Sequence, residues 1–266
     1  MQQTVAAQRR YFESGATRPL TFRLEMLTRL ELGLARWEEE LLAALKADLT
    51  LGEVRMARKH LRAWARPARR STPLAHFPSK STVYREPYGV ALIMAPWNYP
   101  LFLTLAPLVS AIAAGCCAVV KPSAYAPASS RALAGLLGRL YPPEYITVIE
   151  GGRGENAALL EQRFDYIFFT GSPAVGRAVM AAAAEHLTPV TLELGGKSPV
   201  IVAADADVEL AAARIVWGKC VNAGQTCVAP DHVWVPEGMR EKLVEAMGRQ
   251  IRRFYGPDPL AGEDLP

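Results

Sequence analysis

The stretch from residue 88 to residue 120 carries no Asp, Glu, Lys, Arg or His. An uncharged run of this length either spans a bilayer or lies inside a folded core. It is interrupted by Gly89, Pro96, Asn98, Pro100, Pro107 and Gly115. A polar asparagine between two prolines does not fit the middle of a membrane helix. The pattern therefore predicts a strand, a loop, a helix and a second strand, all buried in an α/β protein.

The alternation of short strands and helices continues along the chain. Strands are predicted over residues 90–94, 116–120, 146–149, 166–169 and 190–193, with helices over 101–114, 128–140 and 173–184. This order predicts a mostly parallel sheet with helices on both faces, and such sheets bind ligands at the carboxyl ends of their strands. A second block follows Gly195-Gly196, with strands over 200–202 and 233–235 and helices over 208–219 and 239–254.

The first 70 residues are predicted to be helical, because apolar side chains recur at about 3.6 residues over 20–48. A proline-containing connector follows over 71–81. Basic residues at helical spacing are Arg55, Arg58, Lys59, Arg62, Arg66 and Arg69. Without interleaved aromatics or a recognisable nucleic-acid-binding fold, they predict a solvated helix face, so no nucleic-acid partner is expected.

The cysteine content argues against a fold that is stabilised by disulfides or by a bound metal. The 266 residues include four cysteines, with no CxxC pair and no His/Cys cluster, so we expect no disulfide framework and no metal site. The N-terminus has no apolar signal segment, and the chain carries no candidate membrane anchor. These features predict a reduced, cytoplasmic protein.

Two side chains are candidates for covalent and acid–base chemistry. Small and polar residues surround Cys227, which favours a loop or a helix start where the thiol pKa is lowered; an inert buried thiol is the alternative, and it is the interpretation for Cys220. Glu193 ends an apolar strand beside two glycines. It fits a general base in a desolvated site, or an ion pair with Lys197 or an arginine.

Three further features follow predicted strands. The Asn98 amide can donate to a developing oxyanion or cap its own turn. Lys121 can contact a ribose hydroxyl or a phosphate, or be a surface lysine. The turn of residues 169–176 leads from a strand into a helix and can bind a phosphate, although it lacks the GxGxxG spacing; a plain β–α turn is the alternative.

Taken in order, these motifs resemble the aldehyde dehydrogenase superfamily, most closely its class 3 and bacterial fatty-aldehyde-type branch. The strings LTPVTLELGGKSP and NAGQTCVAP carry the resemblance. It implies the aldehyde dehydrogenase fold, with a Rossmann-like, mostly parallel sheet after a helical N-terminal segment. Residues 1–194 would form the NAD(P)-binding domain, and residues 195–266 the incomplete first part of an α/β catalytic domain.

The resemblance also implies an activity. Cys227 would attack an aldehyde as thiolate, and the Asn98 side chain with the Cys227 backbone N–H would hold the oxyanion. Hydride would pass to NAD or NADP, and Glu193 would activate water to hydrolyse the thioester. Tyr99 would line the aldehyde site. The residues implied at the cofactor are Trp97, Lys121, Ser123, Gly171, Ser172, Gly176, Glu193, Leu194 and Gly195.

The chain departs from the family pattern in three places. Many relatives carry an acidic residue at the position of Ala124. The absence of that carboxylate relaxes the preference for NAD over NADP, and Arg153 is a candidate partner for the phosphate of NADP. A stretch that relatives carry is missing near residues 49–53, between a helix ending near Asp48 and another beginning near Val54. Relatives also continue well beyond Pro266, including the strand that makes a full-length relative a homodimer.

Two other functions remain compatible with these residues. One is a nucleotide-binding remnant of the same fold without turnover. The other is a cofactor-independent cysteine esterase that uses Cys227 and Glu193, although no histidine lies near either residue in the sequence. Cofactor binding without reduction would indicate the first, and ester cleavage without nucleotide the second.

Overall fold

The computed structural model describes residues 1–36 and 48–258. The chain divides into two units, Met1–Glu193 and Leu194–Pro266. The division falls next to the boundary expected between residues 194 and 195. The assignment of the two units as a cofactor-binding domain and a catalytic domain remains a prediction.

Helices open the first unit: α1 (Gln2–Glu13), α2 (Leu20–Arg36) and α3 (Asp48–Trp64). The helix predicted over 20–48 is confirmed as far as Arg36, and its residues 37–47 lie outside the described part. The helix expected to begin near Val54 already begins at Asp48, so its predicted start is wrong. The reason is that the buried apolar repeat of α3 starts at Leu51 and continues through Val54, Ala57 and Leu61. The missing stretch near residues 49–53 remains a prediction.

The predicted connector over 71–81 is flanked by two short strands that the sequence did not reveal. Strand β1 (Ala68–Arg70) pairs antiparallel with β2 (Ser81–Val83), and a 3₁₀ turn at Leu74–His76 lies between them. The Thr72 hydroxyl accepts a hydrogen bond from the Ser81 backbone N–H at 2.9 Å. The basic side chains of α3 are exposed, which agrees with the expected solvated face.

The centre of the first unit is a sheet with the strand order β5-β4-β3-β6-β7. Its strands are β3 (Val90–Met94), β4 (Cys117–Lys121), β5 (Ile146–Val148), β6 (Tyr166–Gly171) and β7 (Val190–Leu194). Strand β3 pairs in parallel with β4 and β6, and β4 with β5. The helices between them are α4 (Phe102–Ala114), α5 (Pro127–Leu140), α6 (Arg153–Leu160) and α7 (Pro173–Ala184).

The uncharged run of residues 88–120 supplies β3, the helix α4 and most of β4. Every residue of β3 and β4 is buried, as expected for parallel strands covered on both faces. Gly115 ends α4 with φ +88°, a left-handed conformation that favours glycine. Among the described residues, no helix is both long and apolar enough to cross a membrane.

In the second unit, β8 (Ser198–Ile201) and β9 (Pro230–Trp234) pair in parallel, with a register shift at Ser198/Pro199. The helices α8 (Val208–Cys220) and α9 (Glu237–Tyr255) complete it. Its core residues come from both helices and the end of β8: Val202, Ala212, Ile215, Leu243 and Ala246. These are the elements that the apolar patterns predict, with ends shifted by at most three residues.

Candidate active site

A cavity of about 230 Å³ lies at the carboxyl ends of β3, β4 and β6. This edge is where a parallel sheet binds its ligands. Its volume is below the roughly 300–1,000 Å³ of whole ligand pockets, which suits one part of a larger ligand. The lining residues come from three strand ends and two following turns: Met94, Ala95, Lys121, Pro122, Ser123, Ala124, Tyr125, Gly151, Gly152, Arg153, Asn156 and Phe169.

Lys121 is the buried charge of this cavity, with 3% of its surface exposed. Its Nζ donates a hydrogen bond to the Pro122 carbonyl at 2.7 Å. Burial lowers the pKa of Lys121, and the charges of Glu155 and Glu150 act in the opposite direction. An ammonium group has three N–H donors, and a buried lysine without a close salt bridge is costly. The surface-lysine alternative for Lys121 is therefore wrong.

The turn before α6 is built by glycines and a carboxylate. Glu155 accepts a hydrogen bond from the Gly152 backbone N–H at 2.6 Å, as in a capping box. This bond and that from its own N–H lower the pKa of Glu155. Gly151 has φ +131°, and a Cβ there would collide with the Glu155 side chain. Helix α6 and this turn were missed by the sequence analysis, although Gly-Gly directly after a strand was an available signal.

The turn between β6 and α7 exposes a helix N-terminus. Ser172 is the N-cap, and its hydroxyl accepts from the Val175 backbone N–H at 3.4 Å. Gly176 is buried, while Ser172 and the first turn of α7 are exposed. Free backbone N–H groups and the helix dipole at such an end favour a phosphate. Gly171 lies against the Phe169 ring, where a Cβ would come within 2.6 Å.

The loop between β3 and α4 carries the three neighbouring candidates. Trp97 is 47% exposed, and Asn98 and Tyr99 are half-buried. All three follow β3 at the same edge of the sheet as Lys121. The loop is thus at the end of the sheet that the parallel topology assigns to ligands.

Glu193, near the end of β7, is exposed. The desolvated environment expected for it is therefore absent from the described structure. Lys197, the alternative ion-pair partner, instead binds Asp231 at 3.0 Å. Leu194 is half-buried and Gly195 is exposed in the turn that follows.

Cys227 lies in a turn between the 3₁₀ helix Val221–Gly224 and β9. Its side chain is half-buried, and the turn is closed by the Ala229 N–H donating to the Thr226 carbonyl at 3.1 Å. Of the two expected settings, a loop or a helix start, the structure has the loop. Asn222 and Ala223 precede it with φ of 54° and 53°, a conformation that non-glycine residues rarely adopt.

Within the second unit, the Gly195-Gly196 turn lies close to Cys227. A Cβ added to Gly196 would lie 2.8 Å from the Cys227 carbonyl oxygen. The Gly195-Gly196 turn and the cysteine turn are therefore in close backbone contact, although 31 residues separate them along the chain. Cys220, by contrast, ends α8 and is half-buried.

The family model for the aldehyde dehydrogenase family matches residues 1–264. The chain belongs to the aldehyde dehydrogenase family. The 4,4'-diaponeurosporen-aldehyde dehydrogenase of Staphylococcus aureus (strain NCTC 8325 / PS 47) is 44% identical over 260 residues, which cover 92% of this chain and 57% of that protein. Human aldehyde dehydrogenase family 3 member B1 is 45% identical over 276 residues, 98% of this chain and 59% of its own length.

Solved aldehyde dehydrogenase structures share this fold. The substrate-bound state of Staphylococcus aureus AldH superposes with a TM-score of 0.95 at 41% identity, covering 99% of this chain and 60% of that one. Mycobacterium tuberculosis aldehyde dehydrogenase complexed with NAD+ gives a TM-score of 0.82 at 30% identity, with 93% and 54% covered. The expected aldehyde dehydrogenase fold is thereby confirmed. This chain spans somewhat more than half the length of these relatives.

Proposed function

We propose that this chain contributes the cofactor site and the nucleophile of an NAD(P)-dependent aldehyde dehydrogenase, which oxidises an aldehyde to a carboxylic acid. The observation that carries the proposal is the buried Lys121 at the carboxyl edge of the sheet, in a cavity of nucleotide-subsite size. A buried titratable side chain with a shifted pKa that lines a cleft is a candidate for a functional site. Family membership and the NAD+ complex of the Mycobacterium tuberculosis relative support the same cofactor class.

The residues of the first unit fit a dinucleotide. Lys121 and Ser123 would donate to the adenosine ribose, and the exposed α7 N-terminus with Ser172 would bind the pyrophosphate. Gly176 is buried in the first turn of α7. Trp97, Leu194 and Gly195 would contact the nicotinamide end. When bound, the nicotinamide accepts the hydride and with it the two electrons of the oxidation.

Cys227 would be the nucleophile. Its thiolate forms a bond to the aldehyde carbon, and the carbonyl π electrons move onto oxygen. The Asn98 amide and the Cys227 backbone N–H would donate to that oxyanion. When the oxyanion reforms its C=O bond, the hydride leaves the carbon and a thioester to Cys227 remains. Tyr99 would pack against the aldehyde chain.

Glu193 would complete the turnover by hydrolysis. Its carboxylate takes a proton from water while the water oxygen attacks the thioester carbon. The tetrahedral adduct then collapses, the C–S bond breaks, and the Cys227 thiolate leaves. The exposure of Glu193 gives it ready access to water.

The test follows reduced cofactor spectroscopically with the purified chain, NAD or NADP, and a medium-chain or an aromatic aldehyde. We expect reduction that Cys227→Ala abolishes and that Cys220→Ser, in the same unit, retains. In Glu193→Gln, mass spectrometry should detect the acyl group on Cys227 after a single turnover. Nucleotide binding without reduction would indicate the non-catalytic remnant, and ester cleavage without nucleotide would indicate the cysteine esterase.

A further inference from the structure

The hairpin formed by β1 and β2 (residues 68–83) ends in an exposed apolar tip. Leu74 begins the 3₁₀ turn between the two strands, and Phe77 follows that turn. The two residues are 91% and 83% exposed. In the described part of the chain the two strands pair only with each other, apart from the five-stranded sheet. Exposed apolar groups that lie together and are rimmed by polar residues mark interaction sites.

The backbone of the tip satisfies much of its own hydrogen bonding. The N–H groups of His76, Phe77 and Ser79 donate to carbonyls of the same turn, at 2.9, 3.0 and 2.7 Å. Pro73 and Pro78, at its two sides, have no N–H group that needs a partner. Backbone groups that leave water need such internal partners. The tip can therefore enter a less polar environment with few lost hydrogen bonds.

Basic side chains surround the stem of the hairpin. Arg69 and Arg70 lie in β1, Lys80 directly precedes β2, and all three are exposed. The antiparallel register places the end of β1 beside the start of β2, and thus Arg70 near Lys80. At the base of the hairpin, Arg85 Nη1 donates to the Arg66 carbonyl at 2.9 Å. The apolar tip thus stands beyond a ring of cations.

Acidic side chains do not neutralise these cations. Residues 54–85 contain no Asp or Glu. Glu86 is exposed at the base of the hairpin, at the end remote from the tip. Glu31 of α2 pairs with Arg55 and Arg58 of α3. Within the described part of the chain, none of the five Lys and Arg residues of the hairpin and its base forms an ion pair, so their charge is available to an anionic partner.

The surface of a bilayer fits both parts of this arrangement. An apolar side chain that enters the boundary between headgroups and acyl chains leaves water, and this stabilises the bound state. Basic residues close to the surface are attracted to anionic headgroups. Arg70 precedes Leu74 by four residues and Lys80 follows Phe77 by three, so these cations approach the headgroups when the tip is inserted.

We propose that this tip docks the chain onto a lipid bilayer whose surface carries anionic phospholipids. Leu74 and Phe77 occupy the boundary between headgroups and acyl chains, while Arg69, Arg70 and Lys80 contact the headgroup phosphates. Both parts are required, because neither a small apolar wedge nor a few surface charges alone gives stable binding. The docking is peripheral and reversible, and it does not depend on the proposed enzymatic function.

Other partners fit the two features less well. A second copy of this hairpin would bring cations against cations, which repel each other. A nucleic acid would attract the cations, but its phosphate backbone offers no apolar partner to Leu74. A lipid surface accommodates the charges and the apolar tip at once.

Co-sedimentation of the purified chain with lipid vesicles tests the proposal without aldehyde or nucleotide. One vesicle preparation contains phosphatidylcholine alone, and the other contains equal parts of phosphatidylcholine and phosphatidylglycerol. We expect the anionic vesicles to bind the chain at least about tenfold more tightly, because several cations lie near the surface. The difference should shrink as sodium chloride is added, since salt screens these attractions.

Substitutions at the tip separate insertion from charge attraction. Leu74→Ser combined with Phe77→Ser should weaken binding to the anionic vesicles about tenfold or more, because the apolar area that leaves water is lost. Leu187→Ser is the matched control, since Leu187 is also 91% exposed in the same unit but lies after α7. It should bind as the parent chain does. All three side chains are on the surface, so thermal unfolding should stay close to that of the parent chain.

Substitutions in the stem test the role of the cations. Arg69→Gln combined with Arg70→Gln should weaken binding to the anionic vesicles about tenfold and leave binding to the neutral vesicles unchanged. Arg252→Gln combined with Arg253→Gln removes two neighbouring exposed arginines from α9. This control has the same change in net charge and should alter neither affinity.

Equal affinity for both vesicle preparations, or no sedimentation with either, would overturn the proposal. A tip variant that binds as tightly as the parent chain would overturn it as well, because charge alone would then explain the affinity. Equal weakening in Leu187→Ser would show that exposed apolar groups adhere to lipid wherever they lie. Tighter binding to a DNA oligonucleotide than to the anionic vesicles, lost in the Arg69/Arg70 variant, would assign the cations to a nucleic acid instead.

Discussion

The backbone of Gly196 packs against the Cys227 carbonyl so closely that an added methyl group would lie 2.8 Å from that oxygen. A backbone carbonyl cannot move aside as the end of a flexible side chain can. Position 196 therefore requires glycine, because the turn that carries Cys227 fills the space that a side chain at this position would occupy. The position of Cys227 in the second unit depends on a residue far from it in the sequence.

Gly196→Ala should displace the cysteine turn and lower aldehyde turnover about 10- to 100-fold, since a shift near 1 Å at a reacting group has an effect of this size. The rate at which iodoacetamide alkylates Cys227 should change as well, and this rate needs neither cofactor nor aldehyde. Gly238→Ala, in the first turn of α9, is the matched control because a Cβ there meets no atom within 4 Å. Equal alkylation and turnover in both variants would disprove the coupling.

A second prediction concerns how α1 is held to the sheet. Arg9 Nη1 donates to both oxygens of Asp165, at 3.1 and 3.0 Å, and Asp165 Oδ2 also accepts from the Val90 N–H at 2.8 Å. Asp165→Ala leaves two donors unpaired and should lower the free energy of unfolding by about 2–4 kcal/mol. Arg9→Ala should cost about 1 kcal/mol, because its side chain is partly exposed.

Urea unfolding of both single variants and of the double variant gives the coupling between Arg9 and Asp165. We expect about 1 kcal/mol. The Asp165→Asn variant separates the contribution of the carboxylate charge from that of the hydrogen bond, since the asparagine amide oxygen still accepts from the Val90 backbone N–H. A coupling near zero would mean that α1 docks through other contacts, such as the buried Gln8, whose amide donates to the Ala118 carbonyl at 2.9 Å.

The parallel core was predictable because two kinds of information agreed in the sequence. Uncharged runs marked buried strands, and proline and glycine marked their ends, so the strand over residues 90–94 and the helix over 173–184 were placed as the structure has them. The short strands β1 and β2 were missed because three-residue strands with mostly exposed side chains have no apolar pattern. Helix α6 was missed because eight residues hold one fully buried side chain, Leu159.

The candidate site was predictable in its residues but not in its environment. Strand ends and glycine turns indicated Lys121, Ser172 and Cys227. The sequence did not indicate that Lys121 is buried while Glu193 is exposed, because burial depends on which elements cover a strand end. The contact between Gly196 and Cys227 joins positions that no local pattern relates.

A third prediction follows from the burial of Lys121, which lowers its pKa. Burial disfavours the ammonium form of Lys121 in the folded chain. The charged lysine therefore destabilises the fold at any pH where Lys121 is protonated in both the folded and the unfolded chain. The penalty is complete below the lowered folded-state pKa. It shrinks as the pH rises through the lowered folded-state pKa, and it vanishes above the ordinary value of about 10.4.

Lys121→Met should therefore raise the free energy of unfolding at neutral pH, with a gain that decreases toward pH 10. It should also abolish 5′-AMP binding. Chemical unfolding at several pH values and titration calorimetry measure the two effects. A variant that is less stable at neutral pH and still binds nucleotide would show that Lys121 serves the fold and not the ligand.

The last prediction concerns the turn that shapes the cavity. Hydrogen bonds from its own N–H and from Gly152 lower the pKa of Glu155, so the folded state favours the carboxylate. The stabilisation is fully present above the unfolded pKa of about 4.3 and is lost as the pH falls through the lower folded pKa.

Glu155→Gln keeps an acceptor oxygen but cannot titrate. Its stability difference from the parent chain should be constant from about pH 6 to pH 8 and should shrink as the pH falls below about 4.3. Glu161→Gln, just after α6, is the matched control, because its carboxylate makes no hydrogen bond to the Gly151-Gly152 turn in the described structure. A Glu155→Gln difference that does not depend on pH would mean that the carboxylate charge does not hold this turn.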